Sequence, residues 1–177
     1  MTNSSTIAAA KAGAETEKPK CPPLDEKTIK ATKKLSEDFA FDLSRLNFLV
    51  VDDSRFCRKI VRDSLSLLGI RHIAEASDAV EAINVLKENS IDLVLSDYEM
   101  PYVSGVELTR MIRKGTEVQD PAVPIVIVSS FAEHFRISEA LAAGVQEYVV
   151  KPFSPEQLIQ RIVHALNCPP SILKIAS

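Results

Sequence analysis

Residues 91–105 read IDLVLSDYEMPYVSG, and this stretch decides how the rest of the chain is understood. Ile91, Leu93, Val94 and Leu95 form an apolar run that stops on a carboxylate, Asp97, before Met100-Pro101 turns the chain into a loop. A short apolar run without alternation is the pattern of a strand buried on both faces, as in a parallel sheet covered by crossover helices. Asp97 then falls at the carboxyl end of that strand, where open α/β sheets place their binding crevices.

Outward from this strand, the sequence beyond Leu46 alternates five times between short β-rich runs and longer segments with a 3.6-residue apolar period. That alternation predicts strands over 48–52, 72–75, 93–96, 125–129 and 147–150, and helices over 55–68, 79–88, 106–113, 135–142 and 155–166. Gly69 and Gly144 sit just past two of these helices, as C-terminal caps do. Ser154, Pro155 and Gln157 supply the cap, the first-turn proline and the reciprocal partner of a capping box. Right-handed crossovers assemble five such units into an α/β fold, a doubly wound five-stranded parallel sheet in three layers.

With 177 residues and 46% hydrophobic content, the chain holds one ordinary domain plus an extension. A formal charge of −3 with interspersed signs argues against nucleic acid or an anionic membrane as a partner. Cys21, Cys57 and Cys168 are widely spaced, which suggests neither disulfides nor zinc and fits a reducing, cytoplasmic setting. No signal peptide or membrane span is recognised. Residues 1–23 are too poor in large apolar side chains to order themselves and read as a disordered tail. Leu24, Thr28, Ala31, Leu35 and Phe39 make a narrow stripe that predicts a helical extension and linker over 24–45. That helix either packs on its own domain or serves dimerisation or partner docking. The tail over 168–177 resumes apolar residues after a proline pair and either packs back or docks elsewhere.

In a parallel sheet all carboxyl ends share one edge. The first strand ends at Asp52-Asp53, the third at Asp97, the fourth at Ser129-Ser130 and the fifth at Lys151-Pro152. Each residue alone is ordinary turn or cap chemistry; their coincidence at four strand ends points to a site. Three carboxylates in one cleft repel each other and call for a cation, and an all-oxygen ligand set suits Mg²⁺. A carboxylate beside such a cation is a competent nucleophile towards phosphorus, and Asp97 is the best placed. Lys151 would then neutralise phosphate charge and Ser129 would donate to a phosphate oxygen. The five glycines form no phosphate-binding loop, which counts against nucleotide-fold enzymes. His72, His134 and His164 are scattered singly, as surface or packing residues are.

The segments FLVVDDSRFCRKIVR, EASDAVEAI, LVLSDYEMPYVSGVEL, PIVIVSS and AGVQEYVVKPF occur in this order over residues 47–167. Together they closely resemble the response-regulator receiver domain of two-component signalling, with its flavodoxin-like (βα)₅ fold. The resemblance implies that Asp97 is the phosphoacceptor, served by a histidine kinase or a histidine phosphotransferase. It further implies direct Mg²⁺ ligation by Asp53, Asp97 and the backbone carbonyl of Glu99, with Asp52 acting through water. Ser129 takes the place of the switch hydroxyl and Tyr148 that of the aromatic rotamer switch. Lys151 matches the phosphate-binding lysine, and its bond to Pro152 is expected to be cis.

The implied function is a phosphorylation-activated regulator, not an enzyme beyond its own phosphoryl transfer and autodephosphorylation. It would signal to a downstream target protein through the surface of the fourth helix, fifth strand and fifth helix. The few residues after the last helix leave no room for an output domain, so a stand-alone receiver, possible as a homodimer, is expected. A phosphorelay intermediate and, far behind, a Mg²⁺-dependent phosphohydrolase are the alternatives. Glu99 and the bulky Phe131, each two residues beyond a site residue, are expected to alter the lifetime of the phosphoryl group. The alternatives at these positions are Glu99 facing solvent and Phe131 packing on the fourth helix.

Overall fold

The structure is a computed structural model, and it describes residues 42–115 and 117–168. The expected disordered tail, nearly all of the helical extension and the C-terminal tail beyond Cys168 lie outside the described residues. At the start of the described chain, Leu43–Arg45 form a single 3-10 turn capped by the Asp42 carboxylate, with Leu43 buried. Five strands and five helices then alternate: β1 Asn47–Val51, α1 Arg55–Leu67, β2 His72–Ala76, α2 Ala79–Glu88, β3 Leu93–Asp97, α3 Gly105–Lys114, β4 Ile125–Ser129, α4 His134–Ala142, β5 Glu147–Val150 and α5 Pro155–Asn167.

All strand pairings are parallel, in the order β2-β1-β3-β4-β5. The chain moves outward from β1 to β2 and then returns to place β3 on the other side of β1. The crevice between the carboxyl ends of β1 and β3 is thus the topological switch point of the sheet, where such folds bind ligands. Every residue of β3 and β4 is buried. This is why their sequences run apolar without alternation. β2, at an edge, is buried only at its last residue, and His72 and Glu75 are tolerated there.

The two sheet faces carry separate cores. Leu49, Val51, Val94, Ile125 and Ile127 pack against Ala82, Ile83 and Leu86 of α2, Leu108 and Ile112 of α3 and Ala140 of α4. Phe48, Val50, Leu93, Leu95, Val126 and Val128 pack on the opposite face against Val61 and Leu65 of α1 and Leu158, Ile159 and Ile162 of α5.

Local signals account for most helix ends. Ser54, Asp78, Ser104 and Ser154 each accept a hydrogen bond from a first-turn amide, and the last two close full capping boxes with Glu107 and Gln157. The Ser104 box starts α3 at Gly105, one residue earlier than the apolar period predicts, and Gly115 ends it in the left-handed conformation at φ 73°. Gly69 and Gly144, at φ 85° and 97°, terminate α1 and α4 as expected. α4 differs from the rest. Glu133 at its N-cap makes no side-chain cap bond, and Ala140 is its one fully buried residue. A helix with so little burial sits at the low-stability end of the fold.

Candidate functional site

The carboxyl edge of the sheet gathers the strand-end residues into one cleft. Asp97 is the last residue of β3 and is 7% exposed; Asp52, just beyond β1, is 3% exposed. The Lys151 ammonium reaches between them, 2.9 Å from Asp52 Oδ2 and 2.7 Å from Asp97 Oδ1. Burial pulls the lysine pKa down, but the attraction of Asp97 and Asp52 outweighs it and the net shift is upward. The lysine is therefore a fixed cation held by two buried carboxylates. Its backbone is fixed as well: the Lys151 amide donates to the Ser129 carbonyl at 2.6 Å, and the Lys151–Pro152 bond is cis.

Both carboxylate oxygens of Asp52 are engaged. Its Oδ1 accepts from the Ser54 amide at 2.8 Å, so one carboxylate oxygen serves the loop while the other faces Lys151. The Arg58 guanidinium, from the first turn of α1, donates to the Asp52 carbonyl at 2.6 Å and to Glu75 at 3.2 Å. Glu75 in turn accepts from Arg62 at 2.9 Å. This network anchors the β1–α1 loop to the edge strand. Asp53 is exposed.

Asp52, Asp53 and Asp97 each offer a carboxylate oxygen within 4.8 Å of the others. The set holds three hard anionic oxygens and no nitrogen or sulfur donor, which fits Mg²⁺ and not zinc or copper.

Ser129, at the end of β4, is buried, and its hydroxyl oxygen accepts from the Phe131 amide at 3.1 Å. Tyr148 on β5 lies inward, with its hydroxyl donating to the Phe131 carbonyl at 2.9 Å. The β4–α4 loop is thus gripped at one residue from both sides, by Ser129 through the Phe131 N–H and by Tyr148 through its C=O. Tyr98, next to Asp97, meets the Tyr148 ring edge-on at 6.3 Å and donates to Glu139 on α4 at 2.8 Å. Burial, reinforced by that bond to a carboxylate, pushes the Tyr98 hydroxyl up to about 12. Glu139 also accepts from Arg110 of α3 at 3.2 Å.

Glu99 turns its half-exposed carboxylate to Arg136 of α4, 2.9 Å away. The same guanidinium lies over the Phe131 ring at 4.3 Å. Both flanking positions expected from the sequence thus engage one α4 residue. Phe131 packs on that helix, and Glu99 is ion-paired instead of pointing freely to solvent.

Several site-building residues escape a sequence reading. Arg58, Tyr98, Arg136 and Glu139 act across long separations and have no local signature. Ser104 and Glu107 have the spacing of a capping box, a local signal that the helix expected over 106–113 did not draw on. Gly105 carries no such signal, yet a Cβ on it would lie 2.1 Å from the Asp97 carbonyl oxygen, so glycine is what lets α3 begin against the end of β3.

Residues 48–163 match the response regulator receiver domain. A chemotaxis protein CheY homolog of Campylobacter jejuni subsp. jejuni is 34% identical over 123 residues, which span 69% of this chain and 93% of that protein. Among solved structures, the Vibrio cholerae chemotaxis protein CheY4 is 28% identical with a TM-score of 0.60, covering 66% of this chain and 95% of its own. A probable two-component system response regulator/GGDEF domain protein is 32% identical with a TM-score of 0.63, covering 71% of this chain and 50% of its own. With the profile matched across the whole sheet and the fold shared with these relatives, the chain belongs to the response regulator receiver domain family.

Proposed function

We propose that residues 46–167 are a phosphorylation-driven switch in which Asp97 accepts a phosphoryl group from the phosphohistidine of a histidine kinase or phosphotransferase. The observation that carries this reading is the Lys151 ammonium held between Asp52 and Asp97 at the switch point of the sheet. In the transfer, an Asp97 carboxylate oxygen forms the new bond to phosphorus as the phosphorus–nitrogen bond breaks and the imidazole leaves with the electron pair. Mg²⁺ held by Asp53, Asp97 and the Glu99 carbonyl, with Asp52 through water, would neutralise charge building on the phosphoryl oxygens.

The chain's own residues do the rest. Lys151 already touches an Asp97 carboxylate oxygen and follows the charge onto the phosphoryl group, which carries roughly 1.5 to 2 negative charges at neutral pH. Ser129 turns its hydroxyl proton to a phosphoryl oxygen and gives up its role as acceptor for the Phe131 amide. Phe131 is also held by Tyr148, so this change reaches β5 and the start of α4, the least buried helix. The altered face of α4, β5 and α5 is what a target protein reads. Because this is a population shift, a target that prefers the phosphorylated face also stabilises the phosphorylated state.

Intact mass after incubation with Mg²⁺ and acetyl phosphate tests the reading. One added phosphoryl group in the parent and none in Asp97→Asn is the expected result. An unchanged parent with acetyl phosphate and again with a phosphorylated kinase would overturn it, and so would equal phosphorylation of the variant.

A further inference from the structure

We propose that Arg136 is a positioning residue that sets the lifetime of the phosphoryl group, by tying the loop after β3 to the loop after β4 over the mouth of the site. The inference rests on Asp97 being the phosphoacceptor. Arg136 lies in the first turn of α4, and its Nη1 donates to Glu99 Oε1 at 2.9 Å. Its guanidinium carbon is 4.3 Å from the centre of the Phe131 ring, 5.1 Å from that of Tyr98 and 5.5 Å from that of Phe135. A cation among three aromatic rings and two carboxylates, Glu99 and, 3.5 Å from its Nε, Glu133, is held in place, and the side chain is 22% exposed against 53% for Glu99.

The bridge joins two neighbouring strand ends. Glu99 and Tyr98 follow Asp97 directly, while Phe131 follows Ser129 by two residues. β3 and β4 are paired in the sheet, with Asp97 opposite Val128, so the loops after them flank the same part of the carboxyl edge. Arg136 is the side chain that links the two loops through Glu99 and Phe131.

Hydrolysis of the acyl phosphate needs a water oxygen to bond to phosphorus from the side opposite Asp97. The bond from phosphorus to the Asp97 oxygen breaks, the carboxylate leaves with the electron pair, and the water proton passes to solvent, leaving inorganic phosphate. Arg136 impedes this by keeping the two loops together over the mouth, with the Glu99 carboxylate as the anchor of the bridge on the β3 side.

The test is the decay of the phosphoryl group by intact mass, after loading with acetyl phosphate and Mg²⁺ and removal of the donor. Arg136→Ala should shorten the half-life about three- to tenfold, the scale expected for losing an exposed ion pair and its ring contacts. Arg136→Lys, which keeps the charge and loses the flat guanidinium, should recover part of the lifetime. Adding Glu99→Gln to Arg136→Ala should bring no further acceleration, because both remove the same bridge. Glu99→Gln alone leaves α4 intact and should accelerate decay in the same direction, which keeps the test open if Arg136→Ala folds poorly.

A parent that loads normally while Arg136→Ala and Glu99→Gln decay at the parental rate overturns this inference and leaves the phosphoacceptor reading standing. Independent, multiplying effects of the two substitutions also overturn it. A parent that takes up no phosphoryl group overturns both.

Discussion

Gly105→Ala should destabilise the domain and displace the phosphoacceptor strand, although alanine is the better helix former. A Cβ at this position would lie 2.1 Å from the Asp97 carbonyl oxygen, 2.9 Å from Ser96 Oγ and 3.0 Å from Ile127 Cδ1. The first contact is about 1.2 Å inside the closest ordinary carbon–oxygen approach of about 3.3 Å. β3 is paired on both sides and wholly buried, so it has no room to retreat. α3 must move instead, which strains the packing of Val106, Leu108 and Ile112 and the Gly105 amide bond to the Tyr98 carbonyl, 3.0 Å long.

Overpacking of this kind costs about 1–3 kcal/mol, and the weakened hydrogen bond adds about 1 kcal/mol. Helix propensity works the other way by about 1 kcal/mol. A net loss of about 1–3 kcal/mol follows, and with a urea dependence of about 1.5 kcal/mol/M the unfolding midpoint should fall by about 0.7–2 M. Gly69→Ala is the control. It has φ 85° but nothing within 4 Å, so it bears the cost of backbone strain alone, about 1–2 kcal/mol. Slower phosphorylation by acetyl phosphate should accompany the loss in Gly105→Ala but not in Gly69→Ala. If Gly105→Ala unfolds at the parental urea concentration, the close approach does not hold Asp97 in place and the reasoning fails.

Two further outcomes follow from the charged contacts. Lys151→Met removes the cation that bridges Asp52 and Asp97 and should cost about 3 kcal/mol in urea unfolding without divalent ions, the scale for breaking a buried pair. Added Mg²⁺ should stabilise this variant more than the parent, and an equal response would count against the acidic cluster as the metal site. Glu139 is held below its ordinary value of 4.5, first by the Tyr98 hydroxyl and then by Arg110. A depressed folded-state pKa means that its contribution is present above about pH 4.5 and is lost as pH falls through the lower folded value. The stability gap between the parent and Glu139→Gln should therefore close on acidification through that range, and a gap unchanged down to pH 3 would show that the carboxylate's charge is not what matters there.

Much of the fold is legible in the sequence because its causes are local. The unbroken apolar runs at Leu93 and Ile125 require strands covered on both sides, and strands of that kind separated by amphipathic helices leave little choice but a parallel sheet. The caps at Asp78, Ser104 and Ser154 mark helix starts within a few residues of their partners. Once the sheet is parallel, Asp52, Asp97, Ser129 and Lys151 must meet on one edge, although Lys151 and Asp52 are 99 residues apart in sequence.

The tertiary structure alone decides which polar groups then pair around that edge. Arg136 reaches Glu99 across 37 residues and Tyr98 reaches Glu139 across 41, and neither pair has a spacing or motif to announce it. The same is true of Arg113, whose half-buried guanidinium binds the Pro121 and Gly144 carbonyls; its partial burial lowers its pKa to about 10. Chain periodicity specifies which face of an element is buried. It does not specify which long, charged side chains meet once those faces have packed, because that depends on helix placement across a sheet edge. The elements and the converging acids are thus properties of the sequence read locally, while the bridge over the site exists only after α4 is docked against β5 at the end of the sheet.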